Sequence, residues 1–266
     1  MSVEEGNAFY DSRENCNAII RKSDNTLITG CQSTIIPKSV TSIGPCAFEG
    51  CIALTSINIP DAVTSIGRMA FRGCSALTSV TIGGAVTTID TDAFSSCTAL
   101  TSIVIPNSVT SIGYFAFGYC TALTSIVIPN SVTSIDNYAF GSCTALTSVT
   151  IGSSVTEIGI GAFEYCTALT NVICEAVNPP ALGDEAFSDI PEEATLYVPE
   201  GSVAAYSADE GWNLFKKILS LNELPTSIEA VKTDTDNSAV YNLSGQRMSN
   251  SGRGIFIKNG KKLIFK

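Results

Sequence analysis

Phenylalanine returns every 23 residues through most of this chain, at Phe48, Phe71, Phe94, Phe117, Phe140 and Phe163, and then one residue late at Phe187. Cysteine keeps the same step at 51, 74, 97, 120, 143 and 166, and leucine at 54, 77, 100, 123, 146 and 169. Residues 97–112 and 120–135 are the same 16 letters, CTALTSIVIPNSVTSI. A unit this short cannot bury its own apolar side chains. The copies must stack, so that like residues pile into one continuous core.

Inside a unit the pattern changes twice. Ser102-Ile103-Val104-Ile105 alternates as a strand does, with Ile103 and Ile105 predicted inward and Ser102 and Val104 outward. Pro106 ends that strand, because it has no N–H for a following ladder. Val109 to Ile112 is β-branched and predicts a second short parallel strand. Gly113 or Asp136 opens the next bend. Ala116, Phe117 and Cys120 fit one short helical or 3₁₀ turn, with Phe117 plugging the core from the convex side. Successive coils should rise by one strand spacing, about 4.8 Å.

The stretch LTSIVIPNSVTSIGYFAFGYC resembles the BspA-like leucine-rich repeats of bacterial surface proteins, over about Thr34 to Leu221. The resemblance implies a leucine-rich repeat right-handed solenoid, α/β by family and mostly β by content. It also implies adhesion to host or microbial surface proteins or glycans, from the cell surface or after secretion. Expected boundaries are a degenerate N-terminal repeat over 1–45, the repeats over 46–175, a capping segment over 176–224 and a β-rich tail over 225–266. Trp212, Phe215 and Ile218, at i, i+3 and i+6, are expected on one helix face as a lid on the last coil. The N-terminus shows no comparable cap. MSVEEGNAFYDSRENC has no basic start followed by an apolar core, so Met1 is expected to be a truncation point.

The tail follows other rules. Ile255–Lys258 and Lys261–Phe265 flank Asn259-Gly260, a hairpin signal, and Ser244-Gly245 marks a second turn. Residues 225–266 carry a net +4, whereas the rest of the chain's net −10 leaves −14 before them. The segment AVYNLSGQRM…GRGIFIKNGKKLIFK resembles the C-terminal sorting domains of Bacteroidetes secreted proteins. That resemblance implies export and surface attachment; a merely structural β-tail is the other reading.

Chemistry is scarce. The chain has no His, which removes the commonest general base and zinc ligand. No phosphate-loop, dinucleotide or HExxH motif occurs. The expectation is no enzyme, no cofactor and no metal. The repeats offer no basic stripe for nucleic acid, and no 18-residue apolar run exists to span a membrane. The protein is expected to act as a monomer. The column of cysteines is either buried thiol at a small core position or bridges between adjacent coils. Bridging would pair coils two by two and break their equivalence.

Two surfaces remain as binding candidates. One is the outer strand face: Ser102, Val104, Pro106, Ser125, Val127, Pro129, Ser148 and Thr150. It is flat and hydroxyl-rich, and between Thr98 and Thr156 the only charged residue is Asp136. The same composition also suits a neutral strand surface. The other surface is the set of convex positions Tyr114, Phe115, Tyr119, Tyr138 and Tyr165, which vary among repeats. They form a contact patch or pack between neighbouring turns.

Overall fold

The computed structural model describes residues 1–224 throughout and, beyond them, the strands Val240–Asn242, Arg247–Met248, Gly254–Lys258 and Lys261–Phe265. Two compact units divide the chain, Met1–Ser220 and Leu221–Lys266.

The first unit is a solenoid whose coils have three sides. One side is a sheet of short strands, among them Ser42–Ile43, Ser65–Ile66, Thr88–Ile89, Ser111–Ile112, Ser134–Ile135 and Glu157–Ile158, all parallel and in 23-residue register. The predicted strand after Val109 is there, two residues long. A second side carries the longer strands. Ser125–Ile128, Ser148–Ile151, Asn171–Cys174, Thr195–Val198 and Lys217–Ser220 form one parallel sheet, and Ser56–Ile59 pairs separately with Ser79–Ile82.

The strand expected over Ser102–Ile105 joins neither group, although Ile103 and Ile105 point inward as predicted and Val104 is 53% exposed. The cause is proline. Where Glu175 follows a long strand, its N–H donates 2.9 Å to Ile151 of the coil before. Pro106 and Pro129 hold the same place and have no proton to give. The coil between them therefore loses a ladder bond at both seams.

The third side is made of turns. Ala116, Gly118 and Cys120 donate N–H to Gly113, Phe115 and Phe117, three residues back. Left-handed residues reset these turns, at Phe115 (φ 50°) and Tyr119 (φ 59°), so single turns replace a continuous short helix. The alternate N–H groups point along the axis. Asp92, Phe94 and Ser96 donate to Tyr114, Ala116 and Gly118 of the following coil, each at 2.8 Å. Every bond of this ladder runs from an earlier coil's N–H to a later coil's carbonyl.

The core repeats with the sequence. Phe48 through Phe187 form one column of seven rings, with centroids 4.9–5.4 Å apart and planes within 8° of parallel. That step is the predicted coil rise. Beside it runs a column of thiols: Cys74, Cys97, Cys120, Cys143 and Cys166 each lie 3.1–3.3 Å from the carbonyl of the preceding coil's Phe. Burial pushes the thiols of Cys74, Cys120 and Cys166 up to about 12, which keeps the S–H proton these contacts need.

Both ends are closed. Phe187 stacks on Phe163 although it arrives 24 residues later. Ile151 pairs with Cys174 at the usual step, but Glu157 pairs with Ala181, so the extra residue lies between Cys174 and Ala181, in the stretch that holds Pro179 and Pro180. Trp212 and Phe215 cover Phe187 at 5.5 and 5.3 Å, and the Trp212 indole donates to the Pro180 carbonyl at 2.8 Å. The lid is as predicted; the single helix face is not. Trp212–Leu214 is one 3₁₀ turn, begun by Asp209, whose carboxylate accepts from the N–H groups of Gly211 and Trp212. Phe215 is already extended, and Ile218 lies on the strand Lys217–Ser220, paired with Leu196. The α-helix of the cap is Val203–Ala208.

At the N-terminal end, where the pattern predicts no cap, Tyr10–Asp11, Ile19–Arg21 and Thr26–Thr29 form an antiparallel meander on the short-strand sheet. Ile20 and Leu27 are fully buried, and Arg13 links Asp11 to Asn25.

In the second unit Gly254–Lys258 pairs antiparallel with Lys261–Phe265, ending at Lys258 opposite Lys261, as the Asn-Gly signal predicts. Val240–Asn242 pairs with Arg247–Met248 and with Gly254–Lys258. Ser244-Gly245 and Asn259-Gly260 themselves lie outside the described residues.

Phe117→Ala opens a gap in the ring column and is expected to cost roughly 3–5 kcal/mol in urea unfolding. The thiols add a pH dependence. Each buried thiol keeps its proton in the fold to a higher pH than in the unfolded chain. Its stabilising share is complete below about pH 9 and is withdrawn as pH rises towards 12. The urea midpoint should therefore fall between about pH 9 and 11, and fall less when Cys120 is replaced by Ala.

Candidate functional site

Exposure along the outer strand face declines towards the C-terminal coils. Ser102 and Val104 are exposed, Pro106, Ser125, Val127 and Ser148 are half-buried, and Pro129 and Thr150 are buried. The open part of that face lies over the proline-flanked coil that left the sheet.

The threonine hydroxyls that precede these strands have a structural use. Thr78, Thr124, Thr147 and Thr170 donate their Oγ1 protons to the carbonyls of Thr55, Thr101, Thr124 and Thr147, at 3.0–3.2 Å. Thr87, Thr110 and Thr156 do the same on the short-strand side. Each such bond ties one coil to the one before it and uses the hydroxyl's one proton.

The convex aromatics sit on the turn side. Phe115 lies parallel to Tyr138 of the next coil (4.9 Å, 10°) and to Tyr119 of its own (5.8 Å, 9°). Tyr114 meets Phe115 and Tyr138 edge-on. So Tyr114, Phe115, Tyr119 and Tyr138 pack between turns, while Tyr119 and Tyr165 remain about half exposed, at 48% and 50%. Their backbone is left-handed, φ 59° and 56°. Gly50, Gly73, Ser96 and Ser142 hold the same position in other coils. A bulky residue there is strained by about 1–3 kcal/mol. Glu164, Glu185 and Asp189 gather beside these rings. Lost hydration and then Glu185 and Asp189 raise the Glu164 carboxyl above its ordinary value. Lost hydration, then Glu164 and Glu185, likewise raise the Tyr138 phenol.

A shallow groove of about 280 Å³ crosses the short-strand side, which the sequence reading did not single out. Ser111, Ser134, Glu157, Asp90, Asp136 and Asn137 are among the residues that line it. Asp90 and Asp136 accept from the next residue's N–H, and the Asn137 side chain accepts from Ile160 N–H, all at 2.7 Å. The signal for this groove was the alternation Asp90, Gly113, Asp136, Gly159. A Cβ at Gly159 would come within 2.6 Å of the Asn137 backbone, so the coil after each aspartate must carry glycine. Among the described residues no three His, Cys, Asp or Glu side chains are grouped to hold a metal ion. No helix among them is long and apolar enough to cross a membrane.

The sequence model of the BspA type leucine rich repeat region matches residues 23–144 and 110–234, in six copies. Among solved structures, a T. pallidum leucine-rich repeat protein superposes with a TM-score of 0.57 at 26% identity, covering 73% of this chain and 92% of that one. A leucine-rich repeat protein from Bacteroides ovatus gives 0.54 at 25% identity over 79% of this chain, which spans 65% of that protein's length. A leucine rich cell surface protein from Faecalibacterium prausnitzii shares the fold, with 0.55 at 24% identity over 83% of this chain and 72% of that one. None of the curated proteins matches.

Strain at the aromatic positions is measurable. Tyr165→Gly should raise stability by about 1 kcal/mol, the relieved strain less glycine's greater freedom in the unfolded chain. Tyr119→Gly should gain less, because it also gives up the ring contact with Phe115. Urea midpoints of the two variants test both statements.

Proposed function

We propose that this chain, which belongs to the BspA type leucine rich repeat family, is a binding and adhesion scaffold without enzymatic activity, displayed on or secreted from a bacterial cell, for protein or glycan partners. One observation carries the reading. Coils repeat at a fixed pitch, and the strained aromatics Tyr119 and Tyr165 are held half exposed on their turn side. Equivalent sites at fixed spacing raise avidity without strong single contacts. The F. prausnitzii cell surface protein of the same fold supports the location. Segment 225–266 serves export or attachment in this reading.

A purely structural spacer is the second reading. What favours it is the threonine hydroxyls, which are spent between coils, and the burial of Pro129 and Thr150.

Surface plasmon resonance of the full chain against matrix proteins, glycans and bacterial envelopes separates the two. A scaffold binds at least one of them, and Val104→Asp or Tyr119→Ser weakens that binding several-fold. A spacer binds none, and an unrelated solenoid of equal length replaces it on cells without loss.

A further inference from the structure

We propose that the aromatic edge around Tyr119, Ser142 and Tyr165 docks a proline-rich polypeptide segment bearing a basic residue. This names a partner class for the scaffold reading and rests on it.

The first argument is geometric. Tyr119, Ser142 and Tyr165 occupy one position in three consecutive coils. Serine interrupts the column and leaves a notch between two half-exposed rings. The notch spans two coil spacings, about 10 Å. Its flank is fixed, since Phe115 is clamped between Tyr119 and Tyr138 and braced edge-on by Tyr114. A polyproline helix turns once in three residues of 3.1 Å, about 9 Å. Prolines one turn apart would meet Tyr119 and Tyr165 together, much as aromatic-lined grooves take such segments.

Backbone bonding selects the same partner. On this edge the N–H groups of Tyr119, Ser142 and Tyr165 already donate to Gly141, Glu164 and Ser188 of the following coils. An incoming strand would find no free ladder. A polyproline segment needs none, because it has no internal or paired backbone bonds to satisfy.

Charge supplies the basic residue. No Lys or Arg occurs between Arg72 and Lys216. Glu164 precedes Tyr165, Asp189 holds the position of Tyr165 in the next coil, and Glu185 lies close enough to act on Glu164 and Tyr138; none of the three takes part in a salt bridge among the described residues. An anionic partner is repelled there, and a cationic flank is attracted.

The test uses the full chain and a fluorescein-labelled peptide of about ten residues, with Pro-x-x-Pro spacing and one terminal Arg. Anisotropy should show saturable binding that a Gly/Ser peptide of the same charge does not match. Tyr119→Ser with Tyr165→Ser should weaken it at least tenfold; Ser96 and Ser142 show that the position accepts serine, and circular dichroism verifies the fold. Glu164→Gln with Glu185→Gln should weaken binding and flatten its salt dependence, whereas Ile35→Ser, at an exposed side chain of the first coils, should change nothing.

Equal binding of the Gly/Ser peptide, no binding, or full binding by the double tyrosine variant overturns the proposal. So does a neutral hexose oligomer that competes with the same tyrosine dependence, which would make the notch a carbohydrate site. The matrix and glycan panel is run on the same variants. If the panel binds wild type and the double tyrosine variant alike while the peptide fails, only this proposal falls. If wild type binds neither, the scaffold reading falls with it.

Discussion

Seven phenylalanine rings set the register of this solenoid. Parallel rings about 5 Å apart leave no room for a coil to slide or tilt. Because the ring column, the thiol column and both sheets advance together, an extra residue must be placed where none of them is disturbed. The chain places it between Cys174 and Ala181, so Phe187 still falls on Phe163. The caps then need only cover one exposed ring at that end, and Trp212 with Phe215 does so.

The blandness of the surface follows from how coils are tied. A backbone this tightly wound leaves carbonyls at the edge of each seam. Threonine is the side chain short enough and β-compatible enough to reach them from the next coil. The same logic accounts for glycine after aspartate on the short-strand side, where the coils approach too closely for a Cβ. Much of what looks like a repeated contact surface is a repeated fastening.

The core was legible in the sequence and the outer layer was not. Ile103, Ile105, Val109, Phe117 and Cys120 are buried as their spacing predicts, because one period applies to every coil. The unpaired coil at Ser102–Ile105 escaped notice because a proline's effect falls on the seam with its neighbour, not on its own strand. Ile218 was misplaced because an i, i+3 spacing suits both a 3₁₀ turn and the residues just beyond it. The left-handed turn positions were visible only as Gly50 and Gly73 sharing a column with Tyr119 and Tyr165, a contrast that means little until φ is known. The N-terminal meander, about 20 residues without a repeat, carried no period to read.

The turn-side ladder has a direction. Its peptide dipoles add along the axis, positive towards the last coil and negative towards the first, the reverse of an α-helix read from its N-terminus. Some turn-side charges lie along this polarity, although Glu49 pairs with Arg72 at the carbonyl end. Arg68 and Arg72 stand at the carbonyl end, and Glu164, Glu185 and Asp189 at the amide end. The protein is in this sense a battery laid along its own repeats, with its poles made by backbone that the sequence repeats for another reason.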